Sequence, residues 1–571
     1  MRQRIPEQEA VINCNALCFL VTSRPGRGKT SVALWYAERL LKDRSLKPSQ
    51  KILFLTFSRN AVYQISTASG ILLDESVQSH LHIATYHSFM WFLIQSFGRF
   101  SGLPSQLDLI WETKARAVAY SGCCEAKNLP MFFACEAKAL TYDCFAPLSI
   151  SLLKSSRIRN ALAELYPIVI IDEFQDTNDE QWEFIKLLTE RTRLCCLADP
   201  DQMIHRFRGA TDDRINQLLA EKQAKEYRLQ DRCLRTDDHE LLDFAETILD
   251  NRTFSKGKRA AWKTRFLNDY FGPNPRSTWL KVVLHRFYTD YRKRGFSGTP
   301  SIAIAAYANT TVSIIQKELL KKTDKFKRPY SCKILEPDYD ESIEDLIIHI
   351  AFWISTSSVD DLKMGIKIIA SLIAPKDLSK TSDPIKSLFN PEKLLSGELR
   401  PKHTAEIVLN AFTNWSCKPH NSGDALKESS KFIRTLSVNI KTLAKILEDE
   451  RFEERFNNLL LIVSSITDGD INEQLIRLKK KLTNERLQRC VFQRVIPLKG
   501  RVATTMHKLK GKEFDYVMLL TMPGEKFYSP REESELDGRR LLYVTLTRAR
   551  YDACILYIGS APPKLLIPYL K

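Results

Sequence analysis

The stretch VTSRPGRGKTSVALW, residues 21–35, contains most of a phosphate-binding loop. The usual pattern is G-x-x-x-x-G-K-[ST], and Ser23 occupies the position of its first glycine. Such a loop works only between a strand and a helix, because its backbone N–H groups and the helix dipole must face the phosphates. Residues 16–22, ALCFLVT, have the composition of a buried strand, and residues 29–41 repeat apolar side chains at helical spacing. The surroundings therefore favour a phosphate-binding loop, which loses little if the position of Ser23 accepts a small side chain, with a chance match as the alternative.

The loop offers separate groups to a nucleoside triphosphate. Gly28 allows the backbone to approach a phosphate, and Lys29 is expected to reach the β and γ phosphates. Thr30 is expected to hold Mg²⁺ through its hydroxyl. The predicted nucleotide contacts in this stretch are Ser23, Arg24, Pro25, Gly26, Arg27, Gly28, Lys29, Thr30 and Ser31.

A pair of carboxylates follows a second candidate strand. In YPIVIIDEFQD, residues 166–176, the run from Ile168 to Ile171 is typical of a central parallel strand. Asp172 and Glu173 come directly after it, and ligands of open α/β sheets bind at the carboxyl ends of the strands. We expect Asp172 to hold Mg²⁺ and Glu173 to polarise an attacking water. The two stretches together predict nucleoside triphosphate hydrolysis.

The composition points to a polyanionic partner. The formal net charge is +17 and the pI is about 9.2, which favours nucleic acid over an acidic membrane. The start of the chain has no apolar core of a secretory signal, and no run approaches the ~18–20 apolar residues that cross a bilayer. With 13 cysteines and no export signal, we expect a cytoplasmic protein with reduced thiols and no membrane association.

Four cysteines lie close together in the sequence: Cys123, Cys124, Cys135 and Cys144. Four thiols can bind zinc or an iron–sulfur cluster, but no C-x-x-C pair is present, and zinc sites usually use that spacing. Free thiols are therefore the favoured interpretation, with a metal site as the alternative.

Further blocks appear in a fixed order along the chain. They are IPEQEAV (5–11), ILFLTFSRNAV (52–62), IATYHSF (83–89), DEFQDTNDEQ (172–181), LADPDQMIHRFRGA (197–210), YRLQDRC (227–233), ATTMHKLKGKEFDYV (503–517) and GRRLLYVTLTRAR (538–550). Together with the phosphate loop, this series resembles the motifs of the UvrD/Rep/PcrA helicases of superfamily 1.

The resemblance implies roles around the nucleotide. Gln8 corresponds to an adenine-reading glutamine, Gln202 to a sensor of the γ-phosphate, and Glu513 to a ribose contact. Arg548 corresponds to an arginine finger from the second motor domain. Arg232 corresponds to a second arginine of the same site, with Arg235 as the alternative. ATP and Mg²⁺ are the implied cofactors.

The resemblance also implies a track for single-stranded DNA. Aromatic rings that stack on bases and groups that contact the backbone are expected there. The corresponding residues are Phe57, Arg59, Tyr86, His87, His205, Phe207, Thr505 and His507. For Phe57 a purely structural role beside the strand is the alternative.

The motif positions predict an α/β architecture with two RecA-like parallel-sheet motor domains, 1A and 2A, and mainly helical insertions, 1B and 2B. Domain 1A is expected at residues 1–98 and 152–215, and insertion 1B at 99–151. Domain 2A is expected at 216–330 and 496–571, and insertion 2B at 331–495.

The predicted function is an ATP-dependent DNA helicase or translocase that moves 3′ to 5′ on single-stranded DNA and acts on tailed duplexes. The polarity comes from the resemblance alone. The alternative is an ATP-gated nucleic-acid-binding subunit that regulates a partner nuclease in a repair or phage-defence complex.

Overall fold

The computed structural model describes most of the chain. The residues outside the description are 1–3, 44–45, 106, 110–138, 207–208, 230–238, 253–264, 268–274, 336–341, 375–380, 416–418, 420, 448–449, 467, 488–497, 523–524, 529–533, 559–562 and 570–571.

The strands are short, and most of those in the two larger sheets are apolar. In chain order they are β1 Cys18–Thr22, β2 Ile52–Thr56, β3 Leu81–Thr85, β4 Asp108–Leu109, β5 Ala139–Leu140, β6 Ile168–Ile171, β7 Arg193–Ala198, β8 Lys225–Arg228, β9 Arg265–Leu267, β10 Ser301–Ala306, β11 Lys333–Ile334, β12 Gly500–Thr505, β13 Phe514–Thr521 and β14 Ala549–Ile558.

The first helices surround the two larger sheets or lead out of them. They are α1 Pro6–Ile12, α2 Lys29–Lys42, α3 Arg59–Leu72, α4 Glu75–Gln78, α5 Tyr86–Phe97, α6 Phe145–Leu153, α7 Ser156–Leu165, α8 Asp179–Leu188, α9 Arg214–Glu221, α10 His239–Leu249, α11 Pro275–Lys293 and α12 Asn309–Leu320.

The later helices, apart from the last, form a separate group. They are α13 Ser342–Thr356, α14 Val359–Ile373, α15 Asp383–Leu388, α16 Pro391–Leu395, α17 Thr404–Asn414, α18 Ser422–Ser437, α19 Lys441–Leu447, α20 Glu450–Ser464, α21 Ile471–Leu487 and α22 Glu535–Leu546.

The first sheet has the order β3-β2-β6-β7-β1-β8, and every pairing in it is parallel. Its central strands are continuous apolar runs, as in β6, where Ile168 to Ile171 are all buried. This pattern is typical of a parallel sheet covered by helices on both faces. Helix α2 contributes Val32, Leu34 and Tyr36 to the core of this sheet.

The second sheet has the order β11-β12-β10-β13-β14-β9 and is also parallel. Helices α10 and α22 pack together in the core on one face, which includes Phe244, Val517 and Val544. Helices α11 and α12 pack on the other, around Leu284 and Ile315. Two parallel α/β sheets confirm the predicted fold class.

The chain divides into two compact units. The first contains residues 1–89, 153–337 and 494–571, and thus both larger sheets. Strand β8 pairs with β1, so the first sheet extends past residue 215, the end expected for domain 1A. The strand was missed because three of the four residues in KEYR are charged. The second unit contains residues 90–152 and 338–493.

The second unit is mainly helical. Helices α13 to α21 enclose one apolar core, to which Leu346, Ile369 and Phe432 belong. In the described part of residues 99–151, β4 and β5 form a small parallel pair. The exact domain boundaries stay a prediction. None of the described helices is long and apolar enough to cross a membrane.

Candidate nucleotide site and nucleic-acid track

The phosphate loop lies between β1 and α2, as the sequence predicts. Gly26 and Gly28 adopt positive φ angles of 73° and 86°, a backbone region that glycine enters without steric cost. The backbone N–H of Ser23 donates to the carbonyl oxygen of Ala198 at 3.2 Å. Ser23 is itself buried, so a small side chain fits where the usual pattern has glycine.

Lys29 points back into the loop from the first turn of α2. Its ammonium donates to the carbonyl oxygen of Ser23 at 2.6 Å and lies 3.5 Å from Oδ2 of Asp199. Thr30 and Ser31 follow on the same helical turn and are half-buried. Gln8 is buried on α1, where its Oε1 accepts a hydrogen bond of 3.3 Å from the backbone N–H of Ile5.

The two predicted carboxylates lie at the carboxyl end of β6. Glu173 has φ 54° and ψ 39°, a left-handed conformation that is strained for a residue other than glycine. Such strain is concentrated at functional sites. Nε2 of Gln175 donates to Oε2 of Glu173 at 2.6 Å, and the backbone N–H of Asp199 donates to Oε1 of the same glutamine at 2.9 Å. Gln175 therefore connects the strand ends of β6 and β7.

Burial acts on the two carboxylates in different ways. It raises the pKa of Asp172 to about 7, and the neighbouring Glu173 carboxylate adds to that effect. Burial also raises the pKa of Glu173, but the ammonium groups of Lys510 and Lys29 outweigh it, so the pKa lies below its usual value. Glu173 therefore stays ionised next to Asp172, which is easily protonated. Because positive charge stabilises the ionised form of both carboxylates, the pair favours a cation in this pocket.

Lys510 reaches this pocket from the second sheet. It is buried, and its ammonium forms an ion pair with Asp176 and donates to the carbonyl oxygen of Gln202 at 2.5 Å. The same ammonium lies 3.8 Å from Oε2 of Glu173. The sequence analysis did not assign a role to Lys510, although it lies inside the block at 503–517.

Gln202 connects the phosphate loop to the second sheet. Its Nε2 donates to Oδ2 of Asp199 at 2.5 Å, and its Oε1 accepts from a guanidinium nitrogen of Arg548 at 2.7 Å. Since Asp199 also lies next to Lys29, a continuous polar chain runs from Lys29 to Arg548. Asp199 was not assigned a role from the sequence either; its position at the end of β7 is the signal that was available.

For the remaining predicted nucleotide contacts the structure gives less detail. Oε2 of Glu513 pairs with Arg550 at 3.2 Å at the start of β13. Arg232 and Arg235 lie outside the described residues, so the choice between them stays open. Phe207, which is predicted to contact DNA rather than the nucleotide, also lies outside the described residues.

The cysteine group is described only in part. Cys123, Cys124 and Cys135 lie outside the described residues. Cys144 is buried, with its sulfur 3.2 Å from Oγ1 of Thr141. Among the residues that are described, no group of three or more His, Cys, Asp or Glu side chains is arranged to hold a metal.

Two of the DNA contacts predicted on the first sheet, Phe57 and Tyr86, lie next to each other. The ring of Phe57 is half-buried, with its centroid 4.9 Å from that of Tyr86. Tyr86 is only 1% exposed and its ring packs against that of Phe57, and its direct contact with DNA stays a prediction. His87 is exposed, whereas Arg59 and His205 are half-buried.

The second sheet places two more predicted contacts at the end of β12. Thr505 is buried and His507 is half-buried, with the ring of His507 6.1 Å from that of Tyr307. This segment also approaches the first sheet, because a Cβ on Gly511 would lie 3.2 Å from Oγ of Ser58. The segment that follows β12 therefore lies close to Ser58, the residue after Phe57 in the sequence.

Two parallel sheets that bring a phosphate loop, paired carboxylates and a buried arginine together define a two-domain P-loop motor protein. Comparison with known proteins specifies the family. The model described as the UvrD/REP helicase N-terminal domain matches residues 5–130 and 118–223. The model described as the UvrD-like helicase C-terminal domain matches residues 406–560. The chain belongs to the UvrD/REP helicase family and is an enzyme of the helicase class.

Curated relatives cover most of the chain at modest identity. ATP-dependent DNA helicase Rep of Buchnera aphidicola subsp. Schizaphis graminum is 23% identical over 96% of this chain and 92% of its own length. A probable DNA helicase II homolog of Mycoplasma pneumoniae is 23% identical over 98% of this chain and 85% of its own length. ATP-dependent DNA helicase Rep of Salmonella typhimurium is 23% identical over 71% of this chain and 62% of its own length.

Proposed function

We propose that this chain couples Mg²⁺-dependent ATP hydrolysis to movement along single-stranded DNA in the 3′ to 5′ direction, and that it unwinds tailed duplexes. One observation carries most of the proposal: the polar chain Lys29–Asp199–Gln202–Arg548 joins the phosphate loop to the second sheet. Such a chain allows a change at the nucleotide to act on both halves of the motor, namely the half built on the first sheet and the half built on the second sheet.

In this proposal the cations of the site converge on the terminal phosphate. Lys29 comes from the first half, and Arg548, in the arginine-finger role, from the second. Charge develops on the γ-phosphoryl group during hydrolysis, so groups held in advance around it lower the barrier. Glu173 accepts a hydrogen bond from the attacking water. Gln202 senses the γ-phosphate and transmits its presence to Arg548 through their hydrogen bond.

The residues present fit Mg²⁺. Thr30 offers a hydroxyl at the start of α2, and Asp172 offers a carboxylate at the end of β6, and oxygen ligands of this kind suit that ion. The buried pair Asp172 and Glu173 also needs positive charge for both groups to ionise. When bound, Mg²⁺ would neutralise charge on the phosphates.

The single-stranded DNA is proposed to lie beside Phe57, where the two halves of the motor meet. Phe57 offers a ring from the first half, and His507 offers a ring and a polar group from the second. Gly511, in the same segment as His507, lies close to Ser58 of the first half. Opening and closing of the two halves therefore changes the distance between the DNA contacts of one half and those of the other. Alternate release of these contacts would advance the strand.

The test is strand displacement by the purified full chain on three matched duplexes with a 3′ tail, a 5′ tail or blunt ends. We expect displacement of the 3′-tailed duplex with ATP and Mg²⁺, and none by a Lys29→Ala variant that still binds the strand. Preference for the 5′ tail would overturn the polarity. ATP turnover without displacement on any duplex would overturn the helicase proposal and favour a subunit that acts with a partner; the comparisons give no support to a nuclease partner.

A further inference from the structure

Arg24, the second residue of the phosphate loop, makes contacts that the proposed function does not use. Its Nε lies 3.1 Å from Oδ2 of Asp201 and its Nη1 lies 2.9 Å from Oε2 of Glu246. Its Nη2 lies 3.3 Å from Oδ1 of Asp250. Each of the three guanidinium nitrogens therefore has its own carboxylate.

The three carboxylates come from both halves of the motor. Asp201 follows β7 of the first sheet, next to Gln202. Glu246 lies on α10 and Asp250 follows its last residue, and α10 packs in the core of the second sheet. Arg27 adds a weaker contact, with its Nη2 3.9 Å from Oε1 of Glu246. The loop that is expected to hold the phosphates is thus tied by side chains to a helix of the other half.

The charges explain why this contact is held. Carboxylates near the C-terminus of a helix are disfavoured by the helix dipole, so Glu246 and Asp250 need cations nearby. Arg252 supplies one to Asp250 at 3.0 Å, and Arg24 supplies one to both. Burial by itself would lower the pKa of Arg24, but Glu246 and the other acids outweigh it and raise the pKa. The guanidinium is a planar fork with five donors in a fixed geometry, so one arginine can contact three carboxylates at once.

We propose that Arg24 is a positioning residue that couples the phosphate loop to α10, so that the loop is in its working position only when the second half has closed against the first. The inference rests on the proposed function, because it concerns the timing of hydrolysis in the same site. Opening of the cleft would separate Arg24 from Glu246 and Asp250 and release the loop from the second half. Closure would restore these contacts together with the Gln202–Arg548 hydrogen bond.

The test is a double-mutant cycle with Arg24→Gln, Glu246→Gln and the double variant, measured as strand-stimulated kcat, KM for ATP and the affinity for a fluorescent ATP analogue. We expect each single change to lower kcat about 10–100-fold, as a displaced positioning group does. Binding of the analogue should change by less than about twofold, since Lys29 and the loop backbone remain. The double variant should be no slower than either single variant. Asp243→Asn, an exposed change on the same helix, is the control and should match the parent chain.

A fluorophore pair, one on each half, gives a second measurement. Arg24→Gln should shift the distance distribution in the presence of ATP towards the open form, and Arg24→Lys should recover part of the change. Independent, multiplying effects of the two single changes, or an unchanged kcat, would overturn the inference. If Arg24→Gln does not fold, Arg24→Lys and Glu246→Gln decide the question. A parent chain without any ATP turnover would contradict the proposed function instead, so the two failures can be distinguished.

Discussion

Oε1 of Gln202 and a guanidinium nitrogen of Arg548 lie 2.7 Å apart, and both side chains are buried. They are separated by 346 positions in the sequence and belong to different sheets. A hydrogen bond to a charged group is stronger than a neutral one, and burial strengthens it further. The contact therefore joins the two motor halves at the point where the terminal phosphate of ATP is proposed to lie.

Replacing Arg548 by alanine should lower the rate of ATP hydrolysis by about 10³-fold or more, because an arginine at the transferring phosphoryl group contributes on that scale. ATP binding should change far less, since the phosphate loop is intact. Single-turnover hydrolysis and equilibrium binding of a nucleotide analogue separate the two effects. Arg286→Ala, a half-exposed arginine of the same half, is the control. Equal losses of binding and rate would refute a role for Arg548 in the transition state.

Replacing Glu173 by glutamine should lower kcat about 10²–10⁴-fold, the range that general-base groups contribute. Binding of ATP and of single-stranded DNA should persist, and removal of Mg²⁺ with a chelator should abolish turnover of the parent chain as well. Turnover measured with and without Mg²⁺ checks both points. Glu183→Gln, on the exposed face of α8, should behave like the parent. A variant at position 173 with normal kcat would remove Glu173 from the mechanism.

Replacing Lys510 by methionine should destabilise the first unit, because it leaves the buried carboxylate of Asp176 without its ion-pair partner. Removing one member of a buried pair costs roughly 3–5 kcal/mol of unfolding free energy. Adding Asp176→Asn removes the second charge and should recover most of that loss. Denaturant unfolding of the two variants measures the difference.

Lys499→Met removes an exposed lysine just before β12 and should leave the unfolding free energy unchanged. If the double variant were as unstable as Lys510→Met alone, the ion pair would not be the source of the effect. The single variant should also turn over ATP more slowly, because Lys510 keeps the pKa of Glu173 low.

Replacing Phe57 by alanine should weaken binding of single-stranded DNA by roughly 1–3 kcal/mol, the contribution of one base stacked on an aromatic ring. Phe57→Trp should retain or increase affinity, since it keeps a stacking surface. Fluorescence anisotropy with a labelled oligonucleotide measures both. Phe296→Ala, another partly exposed aromatic, serves as the control. Unchanged affinity with reduced thermal stability would instead assign Phe57 to the core.

Much of the architecture was predictable because its signals are local. The run from Ile168 to Ile171 is apolar enough to specify a buried parallel strand, and the acids after it must then lie at the sheet edge. The series of motifs identified the family, which the comparisons confirm, and the α/β fold class is confirmed by the two sheets. Strand β8 was missed, because three of the four residues from Lys225 to Arg228 are charged, and pairing with β1 places the segment in the sheet.

The sequence by itself determined the phosphate loop between a strand and a helix, the two carboxylates after a buried strand and the order of the remaining motifs. The loop and the strand before the carboxylates follow from hydrophobic periodicity and glycine geometry, which act over a few residues, whereas the motif order was read from the family resemblance. Only the tertiary structure decided the partners of the charged side chains. Lys510 meets Asp176 across 334 positions, and Arg24 meets Glu246 on a helix of the other half. No spacing rule encodes such pairs, because a charged side chain finds its partner only after two independently packed cores have brought distant segments together.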